Sequence, residues 1–302
     1  MVSRKFGAIT KRVLAAIVMI PIAIVTLYVG SPYVEVLAIV VGGLLAWEWA
    51  NMLSTPNKAS YYVTAYIMSL AIAIWSYNFS VILTMMALIS LVVWFIAEKD
   101  KHNRLLTLGV PYISIGIASL IWIYRSFDPS EGSFDPRYNY SFIMTAWFFL
   151  MVWSMDIGGL VVGCNLRGPK LAPKISPNKT WSGLCGGVLL AMSVSIIFMY
   201  LCTQIMEIPF YDFTKFRYIS FSYRPLEISY EWNVNSQMFY ALMAVFVALL
   251  AQIGDLVESA IKRTVGVKDS SKLIPGHGGI FDRIDGLIFA APFVYLFFMY
   301  IL

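Results

Sequence analysis

The run MFYALMAVFVALLAQIGDLVESAIKR, residues Met238 to Arg263, decides the fold. From Met238 to Ala251 it carries no charge, and it has the length needed to cross a hydrocarbon layer as a helix. Backbone groups in lipid must be paired within their own segment, so a long unpatterned apolar run reads as a helix and not as alternating barrel strands. Its second half changes character. Asp255, Glu258, Ser259 and Lys262 recur at i, i+3, i+4 and i+7, which places two carboxylates, a hydroxyl and an ammonium on one stripe of that helix.

Outward from this run the sequence repeats the pattern. Further apolar spans lie at Val13 to Val29, Val34 to Met52, Tyr61 to Tyr77, Val81 to Ile96, Leu105 to Tyr124, Ser141 to Val162, Leu184 to Ile205 and Ile284 to Leu302, giving nine with the first. Hydrophobic residues make up 59% of the 302-residue chain and charged ones 13%, against about half and a quarter in soluble domains. The expectation is an all-α, polytopic integral membrane protein of about nine transmembrane helices, forming one transmembrane catalytic domain over 1–302. No internal repeat of the transporter kind and no soluble domain interrupts it. The basic Arg4 to Arg12 segment runs into an apolar stretch that continues to Val29 without a small-residue cleavage site, and reads as a retained first span. Cys164, Cys185 and Cys202 show no paired spacing and read as packing residues.

Short cytoplasmic loops collect Lys and Arg. With the N-terminus cytoplasmic, seventeen of the 22 basic residues fall on the cytoplasmic loops and five on the other side. The net charge of +5 is then a basic face toward anionic headgroups, and nucleic acid is excluded as a partner. Two segments on that face carry chemistry: Asp156 to Gly187, and the stretch 252–286.

In the second segment, Asp282, Asp285, Gly286 and Phe289 continue the theme of i, i+3, i+4, i+7 spacing at the start of the last span. Acids at bilayer depth cost a few kcal/mol each, so they face a partner, a cavity or an ion. The short loop between the two stripes lets Asp255 and Asp282 converge on one cation, and all-oxygen ligation suits Mg²⁺ with phosphate groups completing its shell. Between them lie Lys268, Asp269, Lys272 and the run Pro275, Gly276, His277, Gly278, Gly279, where backbone N–H groups can approach an anion. Taken singly, each part is more often structural; their order carries the weight.

That order, Ser259 to Arg263, Lys268-Asp269, then Pro275 to Asp285, resembles the signature of the phosphatidate cytidylyltransferases, or CDP-diacylglycerol synthases, at about a dozen positions over 27 residues. The resemblance implies a dimeric membrane enzyme that joins CTP to phosphatidic acid, giving CDP-diacylglycerol and pyrophosphate for phospholipid synthesis. It implies divalent metal at Asp255 and Asp282, with a monovalent cation such as K⁺ as an optional companion. Lys262, Arg263, Lys268, Asp269, His277, Arg283 and Asp285 match further signature positions and are the candidate catalytic groups. The implied place is a bacterial-type inner membrane, with the active site facing the cytoplasm.

The resemblance extends to the first segment, where Asp156 closes the sixth span and a basic, proline-containing loop ends in Ser176-Pro177-Asn178-Lys179-Thr180-Trp181. Ser176, Lys179 and Thr180 offer two hydroxyls and a cation just before a helix start near Trp181, a place that favours anions. A phosphate clamp and an ordinary helix cap fit these residues equally; the resemblance favours the clamp. With Ser259 and Asp156 they form the expected substrate-binding set. Asn178 stands where relatives carry a second Lys, and Ser182 where they carry Glu.

Phosphatidate brings its own ionised phosphate nucleophile, so no Ser or Cys nucleophile is expected, and alignment with cation stabilisation should dominate. His277, between glycines, reads as a phosphate donor or loop-shaping residue as readily as a proton carrier. Glu48 reads as an interfacial residue beside Trp47 and Trp49, and His102 as part of a solvated charge run. A transporter would also carry intramembrane acids, but these gather at one face instead of the midplane. Another CTP-using membrane enzyme, such as a polyprenol kinase, would transfer the γ-phosphate instead.

Overall fold

A computed structural model describes residues 19–54, 56–76, 79–98, 100–127, 139–205, 234–274 and 278–301. The helices are α1 (Met19–Val29), α2 (Tyr33–Leu53), α3 (Pro56–Trp75), α4 (Phe79–Ile96), α5 (Asn103–Ser126), α6 (Tyr140–Leu166), α7 (Trp181–Tyr200, continued by a π-helical turn at Leu201–Ile205), α8 (Val234–Val265) and α9 (Phe281–Ile301). Among the described residues a helix falls on every span expected from the sequence, with ends moved by a few residues.

Among the described residues six of these helices, α2, α4, α5, α6, α7 with its π turn, and α8, are long and apolar enough to cross a membrane. α3 carries Asn57, Lys58, Ser60 and Thr64 in its first half, and α9 opens with Asp282, Arg283 and Asp285. α1 is described from Met19 onward. The aromatic loops expected at headgroup level, about Arg125 to Tyr140 and Met206 to Gln237, lie largely outside the described residues.

Two apolar cores hold the helices. Leu45 and Trp49 of α2, Tyr62, Tyr66 and Leu70 of α3, and Val110 and Ile113 of α5 form one, which Phe281 and Ile288 of α9 enter. Trp147, Phe148 and Met151 of α6, Ala244 and Val247 of α8, and Ala290 and Val294 of α9 form the other. α5 packs on both α6 and α9 and joins the halves. The outward surface is as apolar as the interior: Leu83, Leu88, Leu91 and Phe95 of α4 are exposed. Lipid gives helices no hydrophobic reason to associate, so close packing and polar links must do it. A Cβ at Gly158 would lie 2.8 Å from the Gly186 carbonyl oxygen and 2.8 Å from Gly187 Cα, so the α6–α7 contact is made backbone to backbone. A polar link ties three helices, with Trp147 Nε1 donating to Ser195 Oγ at 2.9 Å and Ser195 Oγ donating to the Tyr240 carbonyl at 3.0 Å.

One element departs from the all-α expectation. The chain leaves α6 through Arg167 (φ 56°) and Gly168 (φ 107°) and forms an antiparallel hairpin, β1 (Lys170–Ala172) with β2 (Ser176–Thr180), pairing Lys170 with Thr180 and Ala172 with Ser176. Pro173 and Pro177 hide the strands from a propensity reading, because proline removes a ladder donor and is confined to edges and turns.

Candidate active site

α8 is the wall of the site. It ends where Gly266 takes a left-handed φ of 84°: Val267 N donates to Lys262 O at 3.0 Å and Gly266 N to Arg263 O at 3.2 Å, the double closure of a helix C-terminus that glycine favours. The polar stripe therefore occupies the last three turns of an otherwise apolar helix. Glu258 is 2% exposed, and its Oε2 lies 2.7 Å from Lys262 Nζ. Ser259 Oγ lies 3.4 Å from Asp255 Oδ1.

α9 approaches this stripe closely. At Gly254 a Cβ would meet Asp285 O at 2.8 Å and Gly286 Cα at 3.1 Å, so the two backbones touch beside the acids. Asp282 is fully engaged. Its Oδ1 accepts from Lys262 Nζ at 2.7 Å, and its Oδ2 accepts from Ser270 N and Ser270 Oγ, each at 3.1 Å, and from Gly279 N at 2.8 Å. Lys262 thus bridges Glu258 and Asp282, with its own side chain 12% exposed.

One oxygen from each of Asp255, Glu258 and Asp285 lies within 4.8 Å of the others. Unit charges about 5 Å apart repel by roughly 3 kcal/mol at an effective dielectric constant near 20, so such a group needs positive charge. Lys262 supplies it on one side. Glu258 Oε1, buried, has no hydrogen-bond partner among the described residues. A triad of carboxylates with one oxygen unspent and hard oxygen donors throughout fits a divalent cation.

The hairpin closes the site from the other side. Thr180 caps α7, its Oγ1 accepting from Gly183 N at 3.1 Å, as the helix-cap reading requires. Lys179 donates to Asp255 Oδ2, joining hairpin to stripe. Arg263 Nε donates to Ile175 O at 3.3 Å and fastens the end of α8 to the hairpin turn. Asp156, exposed in the second half of α6 and nearly three turns before its end, lies within electrostatic range of Lys179, Asp255 and Arg283. Ser176 pairs with Ala172, while Lys268, Asp269 and Arg283 lie exposed. His277 lies outside the described residues.

A profile of the family described as "Cytidylyltransferase family" matches residues 10–301. The chain belongs to the cytidylyltransferase family. Similar proteins, each named phosphatidate cytidylyltransferase, come from Brucella suis (30% identical, covering 95% of this chain and 92% of the relative), Haemophilus influenzae (28%, 97% and 99%) and Bacillus subtilis (35%, 53% and 48%).

In this cytidylyltransferase the structure brings together residues from both sequence segments, and adds two groups. Glu258 lay on the predicted stripe without an assigned role, and it sits inside the carboxylate group. Glu48 is a correction. It is 1% exposed instead of interfacial, and it accepts four hydrogen bonds: Ile280 N and Ser271 Oγ on Oε1 at 2.8 and 2.6 Å, Phe281 N and Ser270 Oγ on Oε2 at 2.8 and 3.1 Å. Flanking Trp residues made Glu48 look like part of a membrane-surface belt; the spacing of a single acid gave no sign of a partner more than two hundred residues away.

Proposed function

We propose that this chain is a phosphatidate cytidylyltransferase, an integral membrane enzyme that transfers the cytidylyl group of CTP to phosphatidic acid, releasing pyrophosphate. The observation that carries the reading is convergence: Lys179 of the hairpin meets Asp255 of α8, so the two family-like segments share one polar cluster beside an apolar bundle. A lipid phosphate and a soluble nucleotide have to meet at such a boundary.

An oxygen of the phosphatidate phosphate, largely ionised near neutral pH, attacks the α-phosphorus of CTP; the bond from that phosphorus to the bridging oxygen breaks, and pyrophosphate leaves with the electron pair. No protein nucleophile is needed. Asp255, Glu258 and Asp285 would hold a divalent cation, with Asp282 beside them across Lys262; Mg²⁺ suits this donor set, with K⁺ as an optional companion. When bound, that cation supplies charge neutralisation to the nucleotide phosphates. Lys179 and Lys262 bring fixed positive charge to the same pocket, where it opposes the repulsion between two anionic reactants. Arg263, Lys268 and Arg283 line the approach, with His277 in the same signature. Ser176, Thr180 and Ser259 shape the hairpin side.

The site faces the cytoplasm of a bacterial-type inner membrane in this reading, because CTP is cytoplasmic and the basic loops gather there. The homodimer implied by the family likeness belongs to the same proposal. The test is phosphatidate-dependent pyrophosphate release by the purified chain in lipid vesicles with CTP and Mg²⁺. Movement of a solute across the vesicle wall without CTP consumption would instead make it a transporter.

A further inference from the structure

We infer that Glu48 is a positioning residue for cytidylyl transfer, holding the loop between α8 and α9 so that Asp282 and Lys262 stand at the acidic pocket; the inference rests on the proposed function. The carboxylate of Glu48 sits on α2, far in sequence from the signature, yet every one of its four hydrogen bonds goes to Ser270, Ser271, Ile280 or Phe281. From it a connected path runs onward. Ser270 Oγ also lies 3.1 Å from Asp282 Oδ2, Asp282 Oδ1 binds Lys262 Nζ, and Lys262 Nζ binds Glu258, a member of the carboxylate group.

The chemistry requires a carboxylate at this position. Each oxygen of Glu48 faces one backbone N–H, and a backbone N–H can only donate. Serine hydroxyls can turn and adapt; the two amides cannot. Together with Asp282, which takes Gly279 N, Glu48 satisfies N–H groups just before and at the first residue of α9, where negative charge is also favoured by the helix dipole. The rest of the anchor is rigid. Trp49, next to Glu48, packs edge-on against Phe281 at 5.4 Å and stacks on Tyr112 at 5.3 Å, so α2 grips the start of α9 through both a polar and an aromatic contact.

The test compares Glu48→Gln, Glu48→Asp and Glu35→Gln in the full chain, in mixed micelles of phosphatidate, with turnover expressed per folded protein. Glu35 is the control: a buried acid at the other end of α2, paired with Arg125 at 3.0 Å and remote from the pocket. Positioning predicts that Glu48→Gln lowers kcat by about ten- to a hundredfold with little change in KM for phosphatidate. Amide exchange at Ile280 and Phe281 should accelerate in the same variant. Glu48→Asp, which keeps two acceptor oxygens, should be the more active of the two, although Gln has the better shape. Glu35→Gln should lower stability and keep kcat. If Gln matches or exceeds Asp, or if turnover per folded protein is unchanged in Glu48→Gln, the inference is overturned. A wild-type chain without phosphatidate-dependent activity would overturn the functional reading itself, and the amide exchange would still report the clamp.

Discussion

Lys179 of the hairpin donates to Asp255 of α8 across 76 residues of chain, and both side chains are about one-quarter exposed. Ion pairs with that much solvent contribute little to stability, about 1 kcal/mol or less. The pair matters for where it puts charge. Lys179→Ala should therefore reduce cytidylyl transfer by roughly 10²-fold, the scale for losing one positioned charge in such a site, while the thermal midpoint moves by only a few degrees. Steady-state kinetics beside a melting curve checks this; a large fall in melting temperature with normal turnover would assign the pair a structural role.

The acids should separate by their response to metal. Chelation with EDTA should abolish activity and Mg²⁺ restore it. Glu258→Gln and Asp285→Asn should raise the Mg²⁺ concentration needed for half-maximal rate by about tenfold or more, since even the loss of a group that only orients a ligand costs about that much. Asp282→Asn should abolish most turnover even at saturating Mg²⁺, because Asp282 also holds Lys262, Ser270 and Gly279 in place. Mg²⁺ titrations of the three variants decide between ligand and clamp; recovery of Asp282→Asn at high Mg²⁺ would make Asp282 chiefly a ligand.

Backbone contact between α8 and α9 makes Gly254 intolerant of a side chain. Its Cβ would fall 2.7 Å from Phe289 Cβ and 2.8 Å from Asp285 O, neither at the end of a flexible chain. Gly254→Ala should destabilise the protein by about 1–3 kcal/mol, the usual cost of overpacking, and should disturb the carboxylates beside it. Thermal unfolding in detergent measures the first effect and Mg²⁺ affinity the second.

Much of this was legible in the sequence, for identifiable reasons. Long apolar runs of this unpatterned kind leave helices as the backbone solution in lipid, and the i, i+3, i+4, i+7 spacing puts Asp255, Glu258, Ser259 and Lys262 on one stripe. Helix α7 begins at Trp181 after a Thr180 cap, as the Ser-Pro-x-Lys-Thr-Trp segment suggested. The hairpin was hidden by its prolines and by strands of only three and five residues. Glu48 was hidden differently. Two of its four partners are backbone N–H groups, of Ile280 and Phe281, and a backbone donor leaves no mark in a sequence.

The proposed sidedness rests on the distribution of Lys and Arg and can be measured. A cysteine placed at Lys174, exposed in the hairpin turn, in a chain whose Cys164, Cys185 and Cys202 are replaced by Ser or Ala, should react with a membrane-impermeant maleimide in inside-out vesicles and be protected in intact spheroplasts. Labelling in intact spheroplasts would place the site on the outer face, contrary to the account.

The most direct measurement follows the label of CTP. With the purified chain in phosphatidate vesicles, CTP labelled at the α-phosphate should deliver its label to the lipid, and CTP labelled at the γ-phosphate should deliver it to pyrophosphate. Label from the γ-phosphate entering the lipid, with CDP left in solution, would contradict cytidylyl transfer and make the enzyme a kinase.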